Sequence, residues 1–173
     1  FADDLRLFEA EASRFDSLHD CFVRKLKPGV RPVAEGADTL ISPVDAVVGE
    51  FGAVRHGQVL QAKGFPYELS ELVGDPALIA RYRSGRFVTL RLKSSMYHRF
   101  HAPLDGTTES LTYISGDTWN VNPIALKKVE RLFCRNERAV VEMSDAAGAP
   151  CALLVPVAAV LVASMRFKDL DVP

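Results

Sequence analysis

Cysteine is scarce in this sequence, and a long apolar segment is absent. The three cysteines, Cys21, Cys134 and Cys151, lie far apart and form no C-x-x-C pair. A sparse, odd set predicts reduced thiols in a cytoplasmic protein and argues against a disulfide framework. The most apolar run, residues 151–163, contains 13 residues and one proline. A membrane-spanning helix needs roughly 20 apolar residues, so we interpret this run as buried strands.

The sequence also has no excess of positive or negative side chains. The chain has 21 Lys and Arg against 22 Asp and Glu, a net charge of -1, which gives no bulk attraction to nucleic acid. Attraction to a membrane surface must therefore come from a local patch. Hydrophobic residues at 48% are ordinary for a globular protein and exclude a disordered chain. The start at Phe1, without an initiator Met or a signal-peptide pattern, is typical of a fragment or a mature product.

Hydrophobic periodicity predicts an N-terminal helix. Apolar residues in the first 22 positions recur at spacings of three, four or seven, which is a helical stripe. The members of this stripe are Leu5, Phe8, Phe15, Leu18 and Phe22. Ser17 is a candidate N-cap for its second half, and Lys27-Pro28-Gly29 is expected to end it.

The rest of the chain is expected to be rich in β-structure. Short β-rich runs alternate with turns that contain glycine or proline, which is typical of antiparallel strands. The predicted strands cover residues 39–41, 46–51, 59–62, 87–92, 110–114, 139–143 and 152–163. One helix is predicted to begin after Asp75 as its N-cap, with Pro76 first, and to end at Tyr82; a helical turn is predicted over residues 124–132. The fold class is α+β, one structural domain, with residues 1–37 as a helical segment and entry strand and residues 38–173 as the β-rich part.

Histidine is also scarce, and two of the four histidines lie three residues apart. His98 and His101 belong to Tyr97-His98-Arg99-Phe100-His101-Ala102-Pro103, directly after a predicted strand. Loops after strands are frequent positions for functional residues. On spacing alone a structural interpretation stays open, in which the aromatic residues are core and the histidines bond nearby backbone groups. Zinc is not expected, because no cysteine or acidic residue stands at metal-ligand spacing.

Three further segments contain polar residues with either a chemical or a structural role. Asp45 follows Ser42-Pro43-Val44, where an isolated aspartate is typically a turn residue. Lys63-Gly64 precedes an aromatic stretch, and its glycine permits close backbone approach; the alternative is a hairpin exit with a solvated lysine. Asn136-Glu137-Arg138 is most simply a charged turn with a structural ion pair.

The order of these segments closely resembles the phosphatidylserine decarboxylase family, from about residue 18 to residue 164. In chain order the matching blocks are Ser42-Pro43-Val44-Asp45, Lys63-Gly64-x-x-Tyr67, Tyr97-His98-Arg99-Phe100-His101-x-Pro103, Gly116-Asp117, Val121-Asn122 and Leu132-Phe133-x-Arg135-Asn136-Glu137-Arg138. The run Phe22-Val23-Arg24-Lys25-Leu26-Lys27-Pro28-Gly29-Val30-Arg31-Pro32 is similar to the family's segment ahead of the domain. The histidine block and the Asn-Glu-Arg block are the specific parts of the resemblance.

The resemblance implies a pyruvoyl-dependent carboxy-lyase that converts phosphatidylserine to phosphatidylethanolamine and CO2. Decarboxylation of an amino acid needs an electron sink that no side chain provides, so a carbonyl cofactor is required. Members of the family cleave themselves at a Gly-Ser bond, and the serine becomes a pyruvoyl group at the start of the smaller α chain. No Gly-Ser-Thr occurs in these residues. The chain is therefore expected to be the larger β subunit, with the cofactor on the α chain.

The resemblance also implies roles for individual residues. Asp45 is expected to orient His101, which acts as the base for self-cleavage by a serine outside this chain. His98 is expected to supply the proton after CO2 leaves, or to position the substrate. Tyr97, Lys63 and Gly64 are expected to contact the substrate. The expected partners are the α chain, a phospholipid or amino-acid substrate and a peripheral membrane surface, with a homodimer also possible.

Some positions depart from the family pattern and leave alternatives open. The departures are Ala46, Ala158 and Ala163 in place of glycines and Glu68 in place of a serine. One alternative is decarboxylation of a free aromatic amino acid by the same chemistry. Another is a non-catalytic module that binds lipid or protein. The joint presence of Asp45, His98 and His101 argues against that module, because a degenerate domain has no need of all three.

Overall fold

The computed structural model describes residues 5–36, 39–62, 65–163 and 165–168. By their packing the residues group into two compact units. The first unit comprises Phe1–Val48 and Leu90–Asp105, and the second comprises Gly49–Thr89 and Gly106–Pro173. The predicted division at residue 37, within one structural domain, stays a prediction. The α+β class with mainly antiparallel pairing is confirmed.

The N-terminal part of the first unit contains only short helices. A 3-10 helix covers Leu7–Glu9, and α1 covers Leu18–Phe22. Ser17 is the N-cap of α1, as predicted, and its Oγ accepts from the Asp20 N–H at 3.1 Å. The α1 helix is thus stabilised at its start by one side-chain hydrogen bond.

The predicted helical stripe over the first 22 residues is wrong. Phe8 is 71% exposed and Leu18 is 78% exposed, so these residues do not share a buried face. Arg6 has a left-handed φ of 50°, which a continuous helix does not permit. Instead, residues 9–11 pair with residues 25–27: the Lys27 N–H donates to the Glu9 carbonyl at 2.8 Å, and the Glu11 N–H donates to the Lys25 carbonyl at 3.0 Å.

Seven strands form three small sheets in the described residues. The strands are β1 Val47–Ala53, β2 Gln58–Ala62, β3 Phe65–Glu68, β4 Arg86–Arg91, β5 Gly106–Ile114, β6 Arg138–Asp145 and β7 Pro150–Leu154. The pairs are β1 with β4, β2 with β3, and β5 with β6 and β7, where β6 is central. Five of the predicted strands agree with observed ones within a few residues. Residues 39–41 form no strand in the structure, and the predicted run 152–163 is regular only to Leu154.

Four further short helices belong to the second unit. They are α2 Leu69–Val73, α3 Pro76–Tyr82, α4 Pro123–Leu126 and α5 Leu132–Arg135. The prediction of α3 is confirmed, since Asp75 Oδ1 accepts from the Ala77 N–H and Pro76 begins the helix. The helical turn predicted over residues 124–132 is two helices, α4 and α5, separated by a turn.

The core of the second unit is formed by side chains of the helices α2, α3, α4 and α5 and of the strands β2, β3 and β6, together with Val54. Its buried side chains are Val54, Val59, Tyr67, Leu69, Leu72, Val73, Leu78, Leu126, Leu132, Phe133 and Val140. Burial of each large aliphatic side chain contributes roughly 1.5–3 kcal/mol. The three cysteines are unpaired, as predicted. In the described part of the chain, no helix is long and apolar enough to cross a membrane.

Candidate functional site

The loop of residues 96–103 and the segment of residues 41–45 are joined by backbone hydrogen bonds within the first unit. The His101 N–H donates to the Pro43 carbonyl at 2.8 Å, and the Ile41 N–H donates to the Pro103 carbonyl at 2.9 Å. Proline has no N–H, so each proline here takes part only as an acceptor. The two sequence blocks that contain the predicted catalytic residues are thereby fixed against each other.

His101 contacts Tyr97 in this loop. Their rings stack with centroids 5.6 Å apart, and 3.0 Å separates the Tyr97 hydroxyl from His101 Nε2. Tyr97 is 8% exposed, and burial raises the pKa of its hydroxyl, so the phenol is protonated and can donate to Nε2. When it donates, the proton of a neutral His101 imidazole lies on Nδ1. His101 itself is exposed.

His98 has a different environment, three residues earlier. Its Nδ1 donates to the Met96 carbonyl at 2.8 Å, and its ring lies 4.4 Å from the ring of Phe22, centroid to centroid. Burial lowers the pKa of His98; the Met96 carbonyl opposes this shift, and the charge of Arg24 adds to it. The imidazole is therefore neutral at physiological pH, with a lone pair on Nε2 that can accept a hydrogen bond or a proton.

Asp45 is bonded to an arginine and not to a histidine. The Arg31 Nε donates to the two Asp45 carboxylate oxygens at 2.8 and 3.0 Å, and Arg31 Nη2 contacts the Oδ2 atom as well. These hydrogen bonds hold the pKa of Asp45 below its ordinary value, so the carboxylate is ionised. Among the described side chains no hydrogen bond joins Asp45 to His101. The expected Asp45–His101 pair stays a prediction.

The remaining predicted site residues differ in what the structure says of them. Tyr97 is buried, and its hydroxyl is bonded to His101, so little of its surface is available to a substrate. Lys63 and Gly64 lie outside the described residues. No group of three or more His, Cys, Asp or Glu side chains that could bind a metal occurs among the residues that the structure describes.

Two arginines belong to this region and were not predicted. Arg31 bonds Asp45, as described above. Arg24 is 5% exposed and donates to the Cys21 and Leu5 carbonyls, both at 2.9 Å, while its Nε has no hydrogen-bond partner in the described structure. Both residues lie in the 22–32 run of the sequence. Cys21 is three residues from Arg24, but Leu5 lies 19 residues from Arg24, and Asp45 lies 14 residues from Arg31. Only the recurrence of arginine in that run could have indicated them.

The Asn-Glu-Arg block has a structural role in the second unit. Asn136 is completely buried; its Nδ2 donates to the carbonyls of Trp119 and Ala158 at 2.9 and 2.7 Å, and its Oδ1 accepts from the Trp119 N–H at 2.9 Å. Arg138 is also buried. It donates to four backbone carbonyls, those of Glu71, Leu72, Cys134 and Asn136, at 2.7 to 3.0 Å.

The sequence predicted a structural ion pair in this block, but Arg138 bonds backbone carbonyls instead of a carboxylate. Its guanidinium satisfies carbonyl groups at the ends of α2 and α5, which a helix cannot satisfy itself. Gly116 completes the arrangement: a Cβ at this position would lie 2.3 Å from the Arg135 carbonyl oxygen, so only glycine fits. The buried Asn136 and Arg138 side chains thus position backbone, whereas Glu137 Oε2 accepts from the Tyr113 hydroxyl at 2.9 Å.

Two imidazoles and a phenol in the 96–103 loop, and an ionised carboxylate in the segment bonded to it, are groups of the kind that acid–base chemistry uses. The family model of phosphatidylserine decarboxylase matches residues 18–171. Three curated relatives, each a phosphatidylserine decarboxylase proenzyme, are similar to the chain. The Vibrio cholerae protein is 45% identical over 132 residues, which is 76% of this chain and 46% of the relative. The protein of Polaromonas naphthalenivorans is 42% identical over 158 residues, 91% of this chain and 53% of the relative.

The protein of Brevibacillus brevis is 40% identical over 165 residues, 94% of this chain and 58% of the relative. With a family match over most of its length, the chain belongs to the phosphatidylserine decarboxylase family. The chain spans about half the length of the curated relatives it matches.

Proposed function

We propose that this chain is the β subunit of a pyruvoyl-dependent phosphatidylserine decarboxylase. The observation that supports this most directly is the family match over residues 18–171, which includes every predicted catalytic residue. The relatives are named proenzymes, which fits a precursor that is processed into two chains. The α chain with its pyruvoyl group is then the obligatory partner of this subunit.

In the proposed self-cleavage, Asp45 and His101 activate a serine downstream of this chain. The serine oxygen attacks the carbonyl carbon of the preceding glycine, and its proton passes to His101 Nε2. The C–N bond between glycine and serine then breaks as the nitrogen takes up a proton, which leaves an ester, and elimination of that ester separates the two chains. When the Tyr97 hydroxyl donates to Nε2, the Nδ1–H group of His101 is left to donate a hydrogen bond to an orienting carboxylate. For this step the serine hydroxyl takes the place of the Tyr97 hydroxyl at Nε2, and Asp45 accepts from Nδ1. The ionised state of Asp45 fits its role of stabilising the imidazolium.

The first unit offers polar groups that fit an amino-acid substrate held on a pyruvoyl group. When present, that group supplies the electron sink for decarboxylation. His98 is neutral, and its Nε2 can take up a proton and return it to the substrate carbon, whereas Nδ1 keeps the ring oriented on the Met96 carbonyl. The unpartnered Nε of the buried Arg24 is a donor of the kind that a carboxylate or carbonyl oxygen requires.

The proposed substrate is phosphatidylserine, and the proposed place of action is a membrane surface to which the enzyme binds peripherally. A cytoplasmic location fits the three free cysteines. Tyr97, with Lys63 and Gly64, is proposed to contact the substrate, and a homodimer is compatible with this scheme.

A CO2-release assay tests the substrate. Purified full-length protein is given phosphatidylserine in detergent, free serine or free tryptophan. We expect turnover of phosphatidylserine alone. Turnover of a free amino acid only would replace the phospholipid with the aromatic substrate of the alternative interpretation. Absence of turnover on all three would favour a non-catalytic binding module.

A further inference from the structure

Arg31 links two carboxylates of the first unit. Its Nε donates to Asp45 at 2.8 and 3.0 Å, and its Nη2 donates to Glu9 Oε2 at 2.9 Å as well as contacting Asp45. A guanidinium that bonds two carboxylates has little freedom to rotate, because its planar fork fixes the directions of its N–H groups. The orientation of the Asp45 carboxylate therefore depends on Arg31.

Glu9, the second partner of Arg31, has a fixed position of its own. Its side chain is buried, with the residue 7% exposed, and it forms a further ion pair with Arg6. Its backbone carbonyl accepts from the Lys27 N–H at 2.8 Å. The pairing of residues 9–11 with residues 25–27 thus fixes Glu9, Glu9 fixes one side of Arg31, and Arg31 fixes Asp45.

We propose that Arg31 is the positioning residue for Asp45 in self-cleavage, an inference that rests on the function proposed above. Arg31 does not touch the reacting atoms. It sets the plane of the Asp45 carboxylate, so that one of the carboxylate oxygens can accept from His101 Nδ1. An ionised carboxylate has about four lone-pair positions, and Arg31 leaves room for such an acceptance.

Loss of Arg31 has two expected consequences at Asp45. The carboxylate becomes free to rotate, and a misplaced orienting group slows proton transfer by roughly 100-fold. The pKa of Asp45 also rises, because the main cause of its low value is removed while the opposing effect of burial remains. A merely structural arginine would change the stability of the protein without either of these consequences.

The test uses the full-length precursor with the changes Arg31→Ala and Arg31→Lys. Self-cleavage is followed on gels, with and without added methylguanidinium, and the Asp45 carboxyl carbon is titrated by 13C NMR. We expect Arg31→Ala to cleave roughly 100-fold more slowly and methylguanidinium to restore much of the rate. Arg31→Lys should be intermediate, because it keeps the charge but not the two-pronged geometry. Asp45 should titrate at higher pH in Arg31→Ala.

Arg83→Ala is the matched control, since this arginine is exposed at the end of α3, and it should cleave like the wild type. The inference is overturned if Arg31→Ala cleaves at the wild-type rate. It is also overturned if cleavage slows while methylguanidinium restores nothing and the Asp45 titration stays unchanged, because the role is then only structural. If the wild type itself never cleaves, the proposed function fails, and the role of Arg31 in cleavage fails with it.

Discussion

The two histidines of the 96–103 loop differ in what their ring nitrogens contact. His101 is exposed and presents Nε2 to the Tyr97 hydroxyl, which a serine hydroxyl can replace. His98 is more buried and bonds the Met96 carbonyl through Nδ1, which leaves Nε2 as its reactive nitrogen. Two histidines with such different partners are suited to two separate proton transfers.

This difference predicts separable effects of mutation on the two reactions. His101→Ala and Asp45→Ala should each block self-cleavage, because serine is a poor nucleophile until an oriented imidazole takes its proton. Asp45→Asn should block it too, because an amide cannot stabilise the imidazolium. His98→Ala should still cleave but lose decarboxylation by about 100- to 10,000-fold. Gel cleavage, thermal melting and CO2 release on all four variants give the comparison.

A folded His101→Ala variant that cleaves normally would show that the base is another residue. If both histidine variants are merely less stable, with cleavage and turnover reduced in parallel, the histidines are structural. Tyr97→Phe is an informative companion, since it removes the hydroxyl that contacts His101 Nε2 and retains the stacked ring.

His98 also predicts a pH dependence of stability. Its pKa in the folded protein lies below the ordinary value of about 6.5. Between these two values the unfolded chain binds more protons than the folded one, so the free energy of unfolding falls as the pH falls through this window. Melting temperatures at about pH 7.5 and about pH 5.5 should differ more for the wild type than for His98→Gln. His19→Gln, at an exposed position of α1, should show the same melting-temperature difference between the two pH values as the wild type. An equal difference for the wild type and both variants would contradict this account.

At the scale of elements, the Asn136 side chain joins three segments of the second unit. It bonds residue 119 and residue 158 and lies two residues before the start of β6. Asn136→Ala removes the donor to the Trp119 and Ala158 carbonyls and the acceptor of the Trp119 N–H. It should lower the free energy of unfolding by about 1–3 kcal/mol. Asn120→Ala, at an exposed position in the same segment, should cost less than about 1 kcal/mol. Urea denaturation of both variants measures the difference, and equal losses would assign no special role to Asn136.

Elements with local signals could be predicted from the sequence. The helix α3 was predicted because Asp75 and Pro76 specify its start by themselves. The strand β3 and the helix α2 were missed: Pro66 lies within β3, and α2 follows at once, with Glu68 as an unusual N-cap. A proline inside a short apolar run argues against a strand, so the local signal was misleading there.

Elements that depend on distant contacts could not be predicted in this way. The apolar spacing over the first 22 residues resembled a helix, yet the hydrogen bonds of residues 9–11 go to residues 25–27. The run 152–163 stops being a regular strand because Pro156 interrupts it, although the Pro156 carbonyl still accepts from the Ala139 N–H at 3.1 Å.

For the molecule as a whole, the sequence identified the segments of the candidate site but not their contacts. The H-x-x-H spacing and Asp45 were both identified, and two backbone hydrogen bonds join their segments. The Arg31–Asp45 and Tyr97–His101 contacts were not foreseen. Spacing along the chain does not specify which side chain a carboxylate or an imidazole will meet after folding, because that depends on long-range packing.

The intact mass of the full-length gene product tests the central claim most directly. We predict two chains: a larger one that contains the residues described here and a smaller one whose N-terminus is a pyruvoyl group in place of serine. The reason is that amino-acid decarboxylation needs an electron sink, and no side chain of this subunit provides one. A single uncleaved chain that still releases CO2 from phosphatidylserine would contradict the account.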